Sequence, residues 1–192
     1  MPAMPAASFP DFFLLGFRHI FTGYDHLFFL VGLLLACTRW TQLIAIVTCF
    51  TVGHSLTLAL ATLKLVNLAP RLTEPLIALT ILCVGAENFW RRGAEPTGRW
   101  ALTLLFGLVH GFGFANVLRE LGVGADGRGI GAPLLGFNLG VETGQLLFAA
   151  AVLPVFWWAR TKPVFARRWV PGLSIIIALA GLYWLVERSL LA

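Results

Sequence analysis

Six long apolar segments alternate with short polar breaks along this chain of 192 residues. The segments cover residues 12–37, 41–63, 74–90, 100–118, 132–159 and 170–186. A helical span across a bilayer needs about 20 apolar residues, and each segment approaches that length. Backbone amides in lipid need internal partners, and the alternating pattern of barrel strands does not occur here. The pattern predicts an all-α, polytopic membrane helical bundle of about six transmembrane helices, or seven if the first segment contains two.

The basic residues in the breaks indicate an orientation. The first, third and fifth breaks carry eight Lys and Arg residues, whereas the second and fourth carry four. Because Lys and Arg concentrate in cytoplasmic loops, the odd-numbered breaks are predicted to be cytoplasmic and both termini periplasmic. Residues 1–10 contain no Lys or Arg, so we expect an unstructured lead instead of a secretory signal. Residues 1–192 are predicted to form one integral domain of the bacterial inner membrane.

The composition changes this picture little. The chain is 58% hydrophobic and 12% charged, whereas soluble domains carry about 25% charged residues. Its net charge is +5, which basic cytoplasmic loops explain in so apolar a chain. We therefore expect the lipid bilayer, and no nucleic acid, as the macromolecular surroundings of the protein.

Ionisable side chains interrupt four of the apolar segments at similar depth. They are Asp25 and His26 in the first segment, His54 in the second, His110 at the centre of the fourth and Glu142 in the fifth. An ionisable side chain at mid-bilayer costs about 2.5–3.5 kcal/mol on insertion scales, so each needs a reason. Imidazoles and carboxylates are ligands for divalent transition metals. Their common depth predicts one shared metal site, with nickel, zinc and cobalt equally compatible.

Two further ionisable residues have more than one interpretation. His19 is either a ligand or an interfacial residue beside Arg18. Glu87 is either part of the inward path of the ion, or a helix cap or partner of Arg91. The polar residues that would support the site are Ser55, Asn88, Asn138 and Gln145.

The glycines and cysteines have simpler interpretations. Gly23 predicts a kink or break in the first segment. Small residues that permit close helix packing are Gly107, Gly111 and Gly113. The odd number of cysteines, three in apolar stretches, predicts free thiols and no disulfide framework.

An ordered set of motifs resembles the HupE/UreJ family of bacterial membrane proteins over nearly the whole chain. The motifs are Gly23-Tyr24-Asp25-His26-Leu27 after His19, Glu87-Asn88, and the stretches 50–58, 106–115 and 137–145. The resemblance implies nickel supply to hydrogenase and urease, by a permease or an accessory protein. Nickel-linked members carry proline after the first histidine and an Ala-Met pair shortly after the second. In this chain Ile20 follows His19, and Leu27-Phe28-Phe29-Leu30 follows His26. These departures indicate a divergent second branch.

The sequence leaves two main functions open, and a purely structural subunit is the third alternative. The first and favoured one is a nickel-type transporter, which is not an enzyme, with a cytoplasmic metallochaperone or a metalloenzyme assembly factor as its partner. The second is an intramembrane zinc-dependent hydrolase acting on a lipid or another membrane substrate. In that enzyme Asp25 would be the general base, and Ser55 or Asn138 would stabilise an oxyanion.

Overall fold

The computed structural model describes residues 8–91, 98–124 and 129–190. Of the predicted lead at 1–10, residues 1–7 lie outside the described residues, as do positions 92–97 of the third break and 125–128 of the fourth. The end of this lead is helical instead of unstructured, because Ser8 and Asp11 form a capping box that starts the first helix at Phe9. The described chain is helical, and no strand occurs within these three ranges. The all-α class is therefore confirmed.

The helices follow the apolar segments, with two of the segments divided. Their bounds are α1 Phe9–Thr22, α2 Tyr24–Leu34, α3 Trp40–Thr62, α4 Pro70–Arg91, α5 Arg99–His110, α6 Ala115–Glu120, α7 Gly131–Arg160 and α8 Val170–Leu190. A π-helical turn, Phe165–Trp169, leads directly into α8. Within the described ranges, four helices are long and apolar enough to cross a membrane: α3, α4, α7 and the continuous Phe165–Leu190. The count of six crossings stays a prediction.

The first segment breaks at Gly23, as predicted. This residue has extended backbone angles (φ −88°, ψ 101°) and lies between the end of α1 and the start of α2. A Cβ at Gly23 would lie 2.5 Å from Nδ1 of His26. Glycine therefore lets an imidazole ring pack directly against the broken backbone.

The fourth segment is also broken, which corrects the expected position of His110. The sequence placed this residue at the centre of a continuous span, but α5 ends there and a turn leads to the short α6. The N–H of Gly113 donates to the carbonyl of His110 at 3.0 Å, which closes a tight turn. Gly111 and Gly113 favour this break, because glycine is a poor helix former.

Two helix pairs run parallel with their backbones in close contact. Phe9 packs at Gly136 and Ile20 at Gly144, so α1 and α7 point the same way. The helices α3 and α5 also run parallel and in close contact. A Cβ at Gly107 would lie 2.2 Å from the Phe50 carbonyl oxygen. The predicted close packing is confirmed for Gly107 and Gly111, which approach the backbone of α3, since small residues let helices approach in lipid, whereas Gly113 lies in the turn after α5.

The helices α4 and α8 form an antiparallel pair. Gly85 of α4 meets Ala178 of α8, while Gly181 further along α8 meets Ala78 nearer the start of α4. The start of α4 therefore lies beside the end of α8.

Two apolar cores fill the space between the pairs. The first includes Phe29 and Phe50, and the second includes Ile20, Leu58 and Phe137. The ionisable side chains of the interior lie between or beside these cores.

Candidate functional site

A cavity of about 170 Å³ lies where the two helix breaks meet. It is lined by His19, Thr22, Gly23, Asp25, His26, Glu74, Ile77, His110, Gly113 and Phe114. The break between α1 and α2 contributes half of this lining, and the turn after α5 contributes another three residues. The interruptions in the helices thus build the wall of the cavity.

Three histidine rings from three helices cluster in this cavity. The ring centroids of His19 and His26 are 4.4 Å apart, and those of His26 and His110 are 5.3 Å apart. Oδ1 of Asp25 lies 3.0 Å from Nδ1 of His26. Four of the candidate ligands therefore come together, including His19, whose role had two interpretations.

Two helix C-termini contribute partial negative charge to the cavity, while the N-terminus of α2 at the same break contributes partial positive charge. His19 lies in the last turn of α1, and His110 is the last residue of α5. The unpaired carbonyl groups at a helix C-terminus carry partial negative charge, which stabilises a nearby cation. Asp25 adds a carboxylate in the first turn of α2.

A hydrogen-bond chain fixes which nitrogen of His110 is free. Oγ1 of Thr80 donates to the carbonyl of Ile77 at 2.7 Å, and it lies 2.9 Å from Nε2 of His110. Since the single hydroxyl proton of Thr80 is donated to the carbonyl, Nε2–H of His110 donates to the hydroxyl oxygen. Nδ1 of His110 then carries a lone pair in the neutral ring, and among the described residues it is buried without a hydrogen-bond partner.

His54 carries the same arrangement outside the cavity lining. Nδ2 of Asn138 donates to the carbonyl of Leu134 at 2.8 Å, so Oδ1 faces Nδ1 of His54 at 3.0 Å. An amide oxygen only accepts, so Nδ1–H of His54 donates and Nε2 holds the lone pair. That Nε2 is also buried, with no hydrogen-bond partner in the described part of the chain.

Phenylalanine rings connect His54 to the cavity. The His54 ring stacks 6.0 Å from Phe50 and 6.1 Å from Phe137. Phe50 in turn lies 5.2 Å from His110, and Phe137 lies 5.6 Å from His19. His54 thus adjoins the three cavity histidines through shared aromatic neighbours and is not among the cavity-lining residues.

Glu142 and two supporting residues have partners on α3. Oε1 of Glu142 accepts from Thr48 at 2.9 Å, and Oε1 of Gln145 accepts from Thr51 at 3.4 Å. Oγ of Ser55 donates to the carbonyl of Thr51 at 2.6 Å, within its own helix. Within the described chain, the cavity lining includes none of these three side chains.

A separate polar cluster holds Glu87 and Asn88. Nη2 of Arg99 donates to Oδ1 of Asn88 at 2.7 Å and lies 3.3 Å from Oε2 of Glu87. Glu87 also pairs with Arg91 at 3.2 Å, one of the two interpretations offered for it. Glu87 is 13 positions after the cavity residue Glu74, about 20 Å along α4. This cluster is therefore not part of the cavity.

Four important residues were missed at the sequence level. Arg99 belongs to a charged turn by sequence, yet it is only 4% exposed. Arg188, near the end of α8, pairs with Asp25 at 3.3 Å and with Glu74 at 3.1 Å. The third is Glu74, the second partner of Arg188, and the fourth is Thr80, a lone hydroxyl in an apolar run. Arg188 follows the sixth apolar segment, 170–186, directly after Glu187, where a charged residue at the end of a span is ordinary.

The histidines lie close together, but they are not arranged around a common point as the ligands of one metal ion would be. In the described ranges, no group of three or more His, Cys, Asp or Glu side chains is placed to hold a metal ion. Metal–imidazole bonds of about 2.0–2.1 Å require these rings to turn toward a common point. The three cysteines are free thiols, as predicted, and none lines this cavity.

The comparisons with known proteins agree with the motifs. A family model described as HupE / UreJ protein matches residues 1–188, nearly the whole chain. No curated protein and no solved structure matches the chain. The matched range includes both helix breaks and every residue that lines the cavity. The chain belongs to the HupE/UreJ family.

Proposed function

We propose that this protein is a permease for a divalent transition-metal ion of the nickel type in the bacterial inner membrane. Its family is associated with nickel or cobalt transport, or with the maturation of urease and hydrogenase. The observation that carries the proposal is the cluster of His19, His26 and His110 beside Asp25, in a cavity between two broken helices.

The donor chemistry supports a borderline-soft dication as cargo. Neutral imidazole nitrogens bind nickel, cobalt and zinc, and a carboxylate lowers the cost of holding a dication in an apolar interior. Among the described residues, Nδ1 of His110 and Nε2 of His54 are buried without partners, while the other nitrogen of each ring is held by Thr80 and Asn138 respectively. Each neutral ring thus keeps one lone pair without a hydrogen bond, and of the two rings only that of His110 lines the cavity.

The broken helices support transport. Discontinuous helices place their termini at the binding sites of many transporters, where the terminal dipoles help to hold ions. A site that must release its ion benefits from ligands that converge only when the ion enters. The sequence contains no GxxxxGK[ST] nucleotide motif, so we assign the driving force to a gradient or to a sink that consumes the ion.

The hydrolase alternative finds less support in the geometry. It requires Ser55 or Asn138 beside the metal-bound water, but Ser55 donates to the Thr51 carbonyl and Asn138 holds His54. Both lie outside the lining of the cavity.

A cytoplasmic metallochaperone or a metalloenzyme assembly factor is the natural receiver of the ion, and we assign its docking to the basic, odd-numbered breaks.

Uptake by proteoliposomes tests the proposal. The purified protein is reconstituted with a metal-sensitive dye inside, and Ni²⁺, Co²⁺ or Zn²⁺ is added outside. We expect uptake by the wild type and about a tenfold lower rate in His26→Ala and His110→Ala, since each removes one ligand. Cys83→Ala is the control, because it removes an exposed thiol on α4 and should leave the rate unchanged.

Two outcomes would refute the permease. One is a wild-type protein that moves none of the three ions above the leak of empty liposomes. The other is full uptake by both histidine variants.

A further inference from the structure

Arg188 occupies the carboxylates at the edge of the histidine cluster. It reaches from the last turns of α8 to Oδ2 of Asp25 at 3.3 Å and to Oε2 of Glu74 at 3.1 Å. The Asp25 side chain is 16% exposed and the Arg188 side chain 22%, so this pair is largely shielded from solvent. The guanidinium of Arg188 therefore occupies the position at which an incoming metal ion would contact the carboxylate of Asp25.

The contacts of Arg188 are those of a loosely held group. Charge-assisted Arg–carboxylate bonds are usually about 2.7–2.9 Å long. Both hydrogen bonds from Arg188 to Asp25 are longer, at 3.3 and 3.4 Å, and both go to the same oxygen, Oδ2. In the same conformation the guanidinium carbon lies 5.8 Å from the ring of Trp184, a cation–π contact that does not depend on Asp25.

The charge balance of the cavity explains why the arginine has to move. Among the lining residues, Asp25 and Glu74 carry two negative charges, and Arg188 neutralises one of them. A dication neutralises both carboxylates only after Arg188 has left, and with Arg188 in place the cluster would carry excess positive charge. Like charges at close range in a shielded site repel strongly.

We propose that Arg188 is a tethered cation that stands in for the metal ion in the empty carrier and is displaced from Asp25 when the ion binds. This inference rests on the proposed function. Arg188 then has two effects: it weakens ion binding by competition, and it neutralises the empty site while the carrier returns. Without it, the empty carrier would return with Asp25, whose side chain is 16% exposed, lacking a cation, which is costly for a shielded carboxylate; Glu74, at 44% exposed, remains partly solvated.

The test compares Arg188→Gln, Arg188→Lys and the control Arg119→Gln in the full-length protein. Arg119 bonds to the carbonyl of Ala61 at 2.8 Å and to Asn116, and it does not line the cavity. Binding of Co²⁺ is titrated against a chelating indicator in detergent. Net uptake and metal-for-metal exchange are measured in proteoliposomes.

We expect Arg188→Gln to bind Co²⁺ about tenfold more tightly, the gain from losing partly shielded competing ion pairs. Its net uptake should fall several-fold while its exchange rate is kept, since exchange never passes through the empty carrier. Arg188→Lys keeps the competing charge and should stay within about twofold of the wild type in both measurements. Arg119→Gln should match the wild type throughout.

A fluorescence titration examines the wild type directly and does not depend on how Arg188→Gln folds. Zn²⁺ binding should move the guanidinium and change the emission of Trp184, and Trp184→Phe should lose that change. The inference is overturned if Arg188→Gln binds Co²⁺ no more tightly than the wild type, or if its net uptake and exchange fall together. A wild type that neither binds nor moves the ions would instead overturn the proposed function.

Discussion

At the residue scale, the hydrogen-bond partner of one imidazole nitrogen decides whether the other nitrogen of the ring carries the lone pair. Thr80 accepts from Nε2 of His110 and Asn138 accepts from Nδ1 of His54, so in each neutral ring the lone pair is on the remaining nitrogen. The sequence identified the histidines because ionisable residues stand out in apolar segments. It could not identify Thr80, because a hydroxyl in an apolar run most simply bonds to its own helix.

The position of Glu142 shows a second limit at this scale. It follows Asn138 by four residues, and such residues share a helical face. Four residues nevertheless advance about 6 Å along the axis. Asn138 meets His54, while Glu142 reaches Thr48 instead of the cavity. Both residues contact α3, but a shared face does not place them in a common site.

The orientation of His110 by Thr80 is testable by substitution. Thr80→Val keeps the size of the side chain but removes the acceptor for Nε2–H, so the ring loses its preferred tautomer. We expect Co²⁺ affinity to fall about tenfold, as for other partners that orient a metal-binding histidine. The measurement is the indicator titration, with circular dichroism to check the helices.

Thr103→Val is the matched control for that substitution. Its hydroxyl donates only to the carbonyl of Trp100 in its own helix, at 2.9 Å. Equal loss of affinity in both variants would show that the effect of Thr80→Val is not specific to His110.

At the element scale, glycines determine both where helices break and where they touch. Gly23 predicted the first break correctly, because one glycine stood amid polar residues in an otherwise apolar segment. The break after His110 was missed, because Gly107, Gly111 and Gly113 all suit close packing equally well. In the structure Gly107 and Gly111 pack against α3, while Gly113 belongs to the turn.

Close packing of α3 and α5 predicts a cost for any side chain at Gly107. A Cβ there would lie 2.2 Å from a backbone oxygen, which cannot move without shifting a helix. We expect Gly107→Ala to lower the stability to unfolding by about 1–3 kcal/mol, the usual cost of overpacking. The readout is the midpoint of thermal unfolding in detergent.

Gly172→Ala is the control for this substitution. It lies within α8, and a Cβ at Gly172 meets nothing within 4 Å. Its midpoint should equal or slightly exceed that of the wild type, because alanine favours a helix over glycine. A Gly107→Ala midpoint as high as this control would contradict the packing described for α3 and α5.

At the scale of the whole molecule, the directions of the helix pairs agree with a chain that crosses the membrane six times. In such a chain the first and fifth segments run the same way, as do the second and fourth, while the third and sixth run opposite ways. The pairs α1 with α7, α3 with α5, and α4 with α8 have these directions. Apolar periodicity could not provide these pairings, because it gives no information on which helices meet.

The predicted orientation has a direct test in reporter fusions. With both termini in the periplasm, alkaline phosphatase fused after residue 192 should be active, and a fusion in the third break at 92–97 should be inactive. The reverse activities would show that the chain is inserted the other way, with the cavity edge at Glu74 and Arg188 facing the cytoplasm.

The central claim is that the histidines of the two helix breaks bind a divalent metal ion. X-ray absorption at the cobalt edge of the Co²⁺-loaded protein tests this most directly. We predict two or three imidazole ligands at about 2.0–2.1 Å together with oxygen donors, and one imidazole fewer in His26→Ala and in His110→Ala. A spectrum fitted by oxygen ligands alone, or one that neither substitution changes, would contradict the claim.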